Sequence, residues 1–166
     1  MTVRIAPSIR HRLRPWWSLL ARLLLAGVWI YAGAGKITDL PGSVRAVNAY
    51  QLLPVEAGQV IGAALPFAEV ALGLVLLAGL GVRVAALASA VLLAGFVVGI
   101  AAAWARGLRI DCGCFGGGGA LAAGESPRYF IDVVRDLALL AASALLAMWP
   151  GTRFAVDNLA SDQEIP

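Results

Sequence analysis

Residues 57–80 read AGQVIGAALPFAEVALGLVLLAGL, and residues 84–105 read VAALASAVLLAGFVVGIAAAWA. The first stretch holds one charge, Glu69, and the second holds none. Each reaches the ~20 apolar residues that a helix needs to cross the hydrocarbon of a bilayer. Backbone polar groups in lipid must be bonded within their own segment, so such runs are helices. Similar runs flank this pair, one before and one after. The expected fold class is all-α: an integral membrane four-helix bundle, with spans at about 17–35, 57–80, 84–105 and 130–149. Pro15, Pro54, Gly81, Pro127 and Pro150 fall outside or at the edges of these runs, as helix punctuation should. Pro66 lies inside the second run and is expected to kink it.

The composition agrees. The 166 residues are 60% hydrophobic and 14% charged, with a mean hydropathy of +0.82. A soluble domain is nearer ~45–50% apolar with ~25% charged, so a soluble α-domain is set aside. The formal net charge is +3 with no basic patch, which argues against a nucleic-acid partner and leaves the lipid bilayer. Arg4, Arg10, Arg12 and Arg14 precede the first run. Four crossings put both termini on one side, with Arg83 and Arg153; Lys36, Arg45, Arg106, Arg109 and Arg128 fall on the other. The N-terminal cluster orients the chain. Residues 1–16 are expected to form a basic cytoplasmic segment, 17–149 a multi-pass domain of the cell membrane, and 150–166 a cytoplasmic tail.

A basic start, an apolar run and Ala32-Gly33-Ala34 also have the form of a signal peptide. The run is longer than a signal core, however, and no mature-domain start follows Gly35-Lys36. Between the first two runs lies KITDLPGSVRAVNAYQLLP. Its Val44, Val47 and Leu52 suggest a short interfacial helix, with Tyr50 at headgroup depth; plain loop is the alternative.

The third and fourth runs are separated by RGLRIDCGCFGGGGALAAGESPR, residues 106–128, which holds both cysteines of the chain. The charge pattern places this Gly-rich loop outside the cytoplasm, where disulfides persist. Cys112 and Cys114 can bond, since residues two apart can meet the ~4.4–6.8 Å Cα window, and Gly113 tolerates backbone angles that a side chain forbids. So small a ring adds little stability by closing chain. A tight, exposed disulfide is labile, which favours exchange chemistry. Arg109 would favour the thiolate and Asp111 would oppose it. Residues 116–119 can curl backbone N–H groups toward an anion. Alternatives are two inert residues in a flexible loop, or a metal site. Two thiols without a nearby His make a poor zinc set, unless a dimer supplies four.

The stretch DCGCFG, Asp111 to Gly116 with Phe115 inside it, stands before a last helix carrying Arg135-Asp136. Together they resemble the MauE family of four-helix membrane proteins, within the wider DoxX-like group. AGAGKITDL at the end of the first helix, and LPFAEVALGLVLL around Glu69, fit the same pattern. The resemblance covers roughly residues 19–149. It implies a partnership with an extracytoplasmic thioredoxin-like protein and a role in maturing disulfide-containing exported proteins. In methylamine users the implied client is the small subunit of methylamine dehydrogenase.

Ionisable groups inside a membrane are costly and are usually functional or paired. Glu69 shares a helical stripe with Gly58, Gly62, Pro66 and Gly73, and small residues on a stripe let another helix approach. Gly95 and Gly99 form a similar pair on the third run. In the fourth run Asp132, Arg135, Asp136 and Ser143 share a face, and Arg135 can pair with Asp132. Counting depth from the outer surface puts Glu69 well below Arg135. Glu69 is therefore expected unpaired, protonated and hydrogen-bonded to a neighbouring helix. It is either a structural anchor or a proton relay serving a quinone, the one cofactor entertained. The functional reading is a membrane component of a disulfide oxidoreductase system, with Cys112 and Cys114 as its redox pair. Alternatives are a non-enzymatic scaffold or chaperone for the same partner, and a metal or small-solute carrier.

Overall fold

The computed structural model describes residues 9–113, 118–122, 124–151, 155 and 156, with 9–15 as backbone only. Its helices are α1 (Ile9–Ile37), α2 (Leu40–Ala49), α3 (Val55–Ala78), α4 (Val82–Ala105) and α5 (Tyr129–Met148). A short hairpin of β1 (Ile110–Asp111) and β2 (Gly119–Ala120) stands between α4 and α5. Three segments are long and apolar enough to cross a membrane: Trp16–Ile37, Val55–Ala78 and Val82–Ala105. They coincide with the first three expected spans to within a turn. The fourth, α5, has the length but carries Asp132, Arg135 and Asp136 in its first half, and so falls outside that set.

Packing pairs α1 with α3 and α4 with α5, and α2 lies on α3. The buried residues of α3 are Gly58, Gly62, Pro66, Glu69, Gly73 and Leu76, the stripe legible in the sequence extended by one leucine. Its upper and lower halves meet different partners. A β-carbon on Gly73 would lie 2.9 Å from the Ala26 carbonyl oxygen of α1, and one on Gly33 of α1 would lie 2.6 Å from the Pro66 carbonyl oxygen. One on Gly62 would instead lie 2.6 Å from Val44 Cα of α2. So α1 stops partway up α3, and α2 occupies the level above it. Pro66 sits inside a continuous helix, against the glycine that lets α1 come close.

The stop is written locally. Thr38 Oγ1 donates to the Gly35 carbonyl at 2.8 Å, and Asp39 caps α2 by accepting from Gly42 N at 2.9 Å. Pro41 suits the first turn of α2 because no N–H is needed there. The expected short helix therefore exists, but its buried face differs. Gly42, Ser43 and Ala46 form its buried face, while Val44 and Val47 are half-buried. Ser43 Oγ donates to the Gly62 carbonyl at 2.7 Å. Small residues win that face because only they allow two backbones so near one another.

Where α1 ends overturns the expectation that Glu69 is unpaired. Lys36, assigned from sequence to an outer loop, lies in the last turn of α1 and is 7% exposed. Its Nζ is 2.6 Å from Glu69 Oε1, and Glu69 is fully buried. The depth count compared Glu69 only with Arg135, with which it does not pair; it left out Lys36, placed beyond the end of the first span. Val55 to Glu69 spans about 21 Å of α3 at ~1.5 Å per residue, and α1 ends near that level. Arg135, by contrast, makes the local pair foreseen for it: Nη1 is 3.0 Å from Asp132 Oδ1, and Nε is 2.9 Å from Asp136 Oδ1.

Elsewhere the core is tied by few polar links. Trp29 Nε1 donates to Ser89 Oγ at 2.7 Å, Ser89 meets Ser143 Oγ at 3.0 Å, and Ser143 donates to the Leu139 carbonyl at 2.9 Å. These join α1, α4 and α5. At the other end of α3, Gly79 takes a left-handed φ of 72° and ends the helix. Buried Arg22 reaches it: a β-carbon on Gly79 would collide with Arg22 Nη1. A guanidinium suits the negative end of a helix.

Gly62→Val should loosen α2 from α3 and cost about 1–3 kcal/mol through overpacking. Gly27→Ala, where a β-carbon meets nothing within 4 Å, should leave stability unchanged or slightly raised. Thermal unfolding in detergent compares them; equal melting would contradict the close approach. For the buried pair, Lys36→Met or Glu69→Leu alone should cost about 3–5 kcal/mol, because each strands a buried charge, whereas the double variant should recover most of it. A double variant no more stable than the worse single one would show that the two groups are not coupled.

Candidate functional site

The hairpin holds the first cysteine at its mouth. Ile110 pairs with Ala120 and Asp111 with Gly119, antiparallel, and Cys112 follows directly. Tyr129, at the start of α5, fixes the base: its hydroxyl donates to the Leu108 carbonyl at 2.6 Å and accepts from Ile110 N at 3.1 Å. Arg106, just past α4, donates to the Tyr50 and Gln51 carbonyls and binds this end of α4 to the end of α2.

The turn after Cys112 depends on glycine. Gly113 has φ 68° and Asp111 Oδ1 accepts from its N–H at 2.9 Å. A β-carbon there would lie 2.9 Å from Ala46 Cβ, and one on Gly118 would lie 2.6 Å from the same atom. Gly113 and Gly118 thus both pack onto the small-residue face of α2. Tyr50 adds a clamp, its hydroxyl donating to the Cys112 carbonyl at 2.9 Å. Tyr50 is half-buried and bonded to the Cys112 backbone, a contact the sequence did not suggest.

The sequence-derived roles divide as follows. Cys112 is half-buried, and the cation at its sulfur is Arg135, with Nη2 at 3.8 Å from Sγ. Arg109 was expected to do this, but it donates to the Glu125 carbonyl. Asp111 holds the Gly113 amide. Cys114 and Phe115 lie outside the described residues, as do 116 and 117 of the glycine run. Asp132 and Asp136 flank Arg135, and Asp136 is 2% exposed. Gly95 and Gly99 do not serve as a helix-packing pair: Gly95 has no neighbour within 4 Å of a β-carbon, and Gly99 faces the Tyr50 ring.

Cys112 borders two spaces. One is a polar pocket of about 490 Å³, rimmed by Asp111, Glu125, Arg128, Asp132 and Arg135. The other is an inner cavity of about 50 Å³, where Cys112 and Gly113 face Lys36, Ser43 and Phe96. A thiol here has a guanidinium on one side and an ammonium within the same cavity on the other. Among the described residues no three His, Cys, Asp or Glu side chains converge as a metal site requires. Sequence reasoning missed Lys36, Tyr50 and Tyr129 as parts of this site. A lysine directly after the small-residue run Ala32–Gly35 was the available signal that α1 ends against another helix.

The matches among known proteins span this whole arrangement. The family described as "Methylamine utilisation protein MauE" matches residues 14–150, from the start of the first crossing through α5. The "Methylamine utilization protein MauE" of Paracoccus denitrificans is 31% identical over 132 residues, covering 79% of this chain and 67% of that protein. No solved structure matches. The match includes the three apolar helices, the cysteine hairpin and the charged start of α5, and the chain belongs to the MauE family.

Proposed function

We propose that this chain spans the membrane four times and that Cys112 and Cys114 exchange disulfides with a thioredoxin-like protein outside the cytoplasm. The exchange serves the maturation of disulfide-containing exported proteins, and the family's name points to methylamine use as the setting. The observation that carries this reading is the position of Cys112, with its sulfur beside Arg135 and at the edge of a polar pocket. A cation next to sulfur favours the thiolate, the form that attacks or leaves in exchange.

The fourth crossing is α5. Its charges pair with one another or turn inward, while Phe130, Ile131, Val134, Leu137 and Leu145 lie exposed on its other sides. An apolar exterior of that kind suits lipid. Four crossings with basic residues before the first place both termini in the cytoplasm and the hairpin outside.

In the exchange a thiolate of the partner attacks the Cys112–Cys114 disulfide. That S–S bond breaks as a mixed one forms, and the partner's second thiolate then displaces the remaining sulfur. The partner leaves oxidised and this chain holds two thiols. The same steps reversed reduce the partner's disulfide.

Cys112→Ala and Cys114→Ala should each strand the remaining sulfur in a mixed disulfide, visible on non-reducing gels, with different yields because the two sulfurs have different surroundings. Absence of any adduct, together with normal client oxidation by the double variant, would leave a scaffold role and sink the thiol mechanism. A membrane-impermeant thiol reagent should label reduced intact cells at these cysteines. Labelling only after lysis would put the hairpin in the cytoplasm.

A further inference from the structure

Resting on the thiol-exchange reading, we propose that Asp136 is a positioning residue for Cys112: it turns the Arg135 guanidinium inward and holds one of its N–H groups at the sulfur. Each nitrogen of that guanidinium has a partner of its own. Nε donates to Asp136 Oδ1 at 2.9 Å, Nη1 to Asp132 Oδ1 at 3.0 Å and Nη2 to Cys112 Sγ at 3.8 Å. A planar fork has fixed N–H directions, so the placement of two nitrogens is passed on to the third. A lysine ammonium on its flexible stem could not do this.

The two carboxylates differ in what they impose. Asp132 precedes Arg135 by three residues, a spacing at which side chains meet on any helix surface. That bond alone would let the arginine lie along the outside of α5. Asp136 is the next residue along, and side chains one apart on a helix do not face each other. A bond between Arg135 and Asp136 therefore requires the arginine to swing round the helix toward its neighbour. The neighbour points inward: Asp136 is 2% exposed and lines a small internal space with Trp29, Glu69 and Phe96. Arg135 follows it inward, and its side chain is only 28% exposed.

Other charged and titratable groups face the sulfur from each side. Asp111 of β1, with Glu125 and Arg128 ahead of α5, rims the polar pocket. Lys36 of α1 and Tyr50 after α2 face it from the inner cavity, and Glu69 of α3 sits on Lys36. By charge alone, Asp136 opposes a thiolate at Cys112. By position it favours one, because it brings a cation to the sulfur. The two effects have opposite signs, and that makes them separable.

The test uses the full-length chain in lipid nanodiscs with Cys114→Ala, which leaves Cys112 as the sole thiol. The rate of alkylation by iodoacetamide is followed across about pH 5–10, since the thiolate is the form that reacts. Asp136→Ala should move the profile to higher pH and slow alkylation at neutral pH about threefold or more. Loss of the negative charge alone would move it to lower pH. Asp136→Asn keeps an oxygen for Nε and should return the profile to that of the parent or below it. Arg135→Gln should itself raise the profile, and adding Asp136→Ala should then raise it no further. Asp136→Ser, too short to hold Nε, takes the place of the Ala variant should that one not accumulate in the membrane. A profile that stays or falls with Ala, an Asn variant displaced as far as Ala, or a further rise in the Arg135→Gln background overturns the positioning role. A mixed disulfide with the partner that still forms in Cys114→Ala would leave the exchange reading standing in that case. The expected shifts without any such adduct would support the positioning role and bring down the exchange reading instead.

Discussion

The buried contact between Lys36 and Glu69 sets the level at which α1 ends against α3. Everything above that level follows from it. The chain must turn at Thr38 and Asp39 below the top of α3, and the space above is filled by α2 on its face of Gly42, Ser43 and Ala46. That face in turn is the floor for Gly113 and Gly118. The position of Cys112 is thus inherited, through two layers of close backbone packing, from where a lysine meets a glutamate. Such a pair is weak evidence for stability as such, because its desolvation offsets its attraction. Its value here is that α1 has one register against α3.

The polar links lower in the core work differently. The indole of Trp29 can only donate, and the Ser143 hydroxyl donates to Leu139. Ser89 must therefore accept from the indole and donate to Ser143. The direction of each bond is fixed by its neighbours, and three helices are joined without a charge. Arg22 serves the opposite end of α3, where the backbone carbonyls finish.

Hydropathy made the first three crossings legible, and helical spacing gave both the α3 stripe and the Arg135–Asp132 pair. These are properties of one segment at a time. What stayed hidden depends on how segments sit beside one another. Apolar length says how long α1 is but not that it stops partway up α3, so Lys36 was placed in a loop. Arg22 was passed over inside an apolar run. Arg109 is close to Cys112 in sequence, yet the guanidinium at the sulfur belongs to Arg135, 23 residues away. Gly95 and Gly99 have the spacing of a packing motif, but only a neighbouring helix could have made them one, and α3 stands off at that level.

The order of synthesis gives the buried lysine a further meaning. Lys36 and Glu69 are separated by 33 residues, so the lysine emerges first and its counter-charge arrives only with the middle of α3. Until then the end of α1 carries a bare ammonium, which lipid does not accommodate cheaply. Lys36 therefore completes its burial only when α3 has come alongside α1.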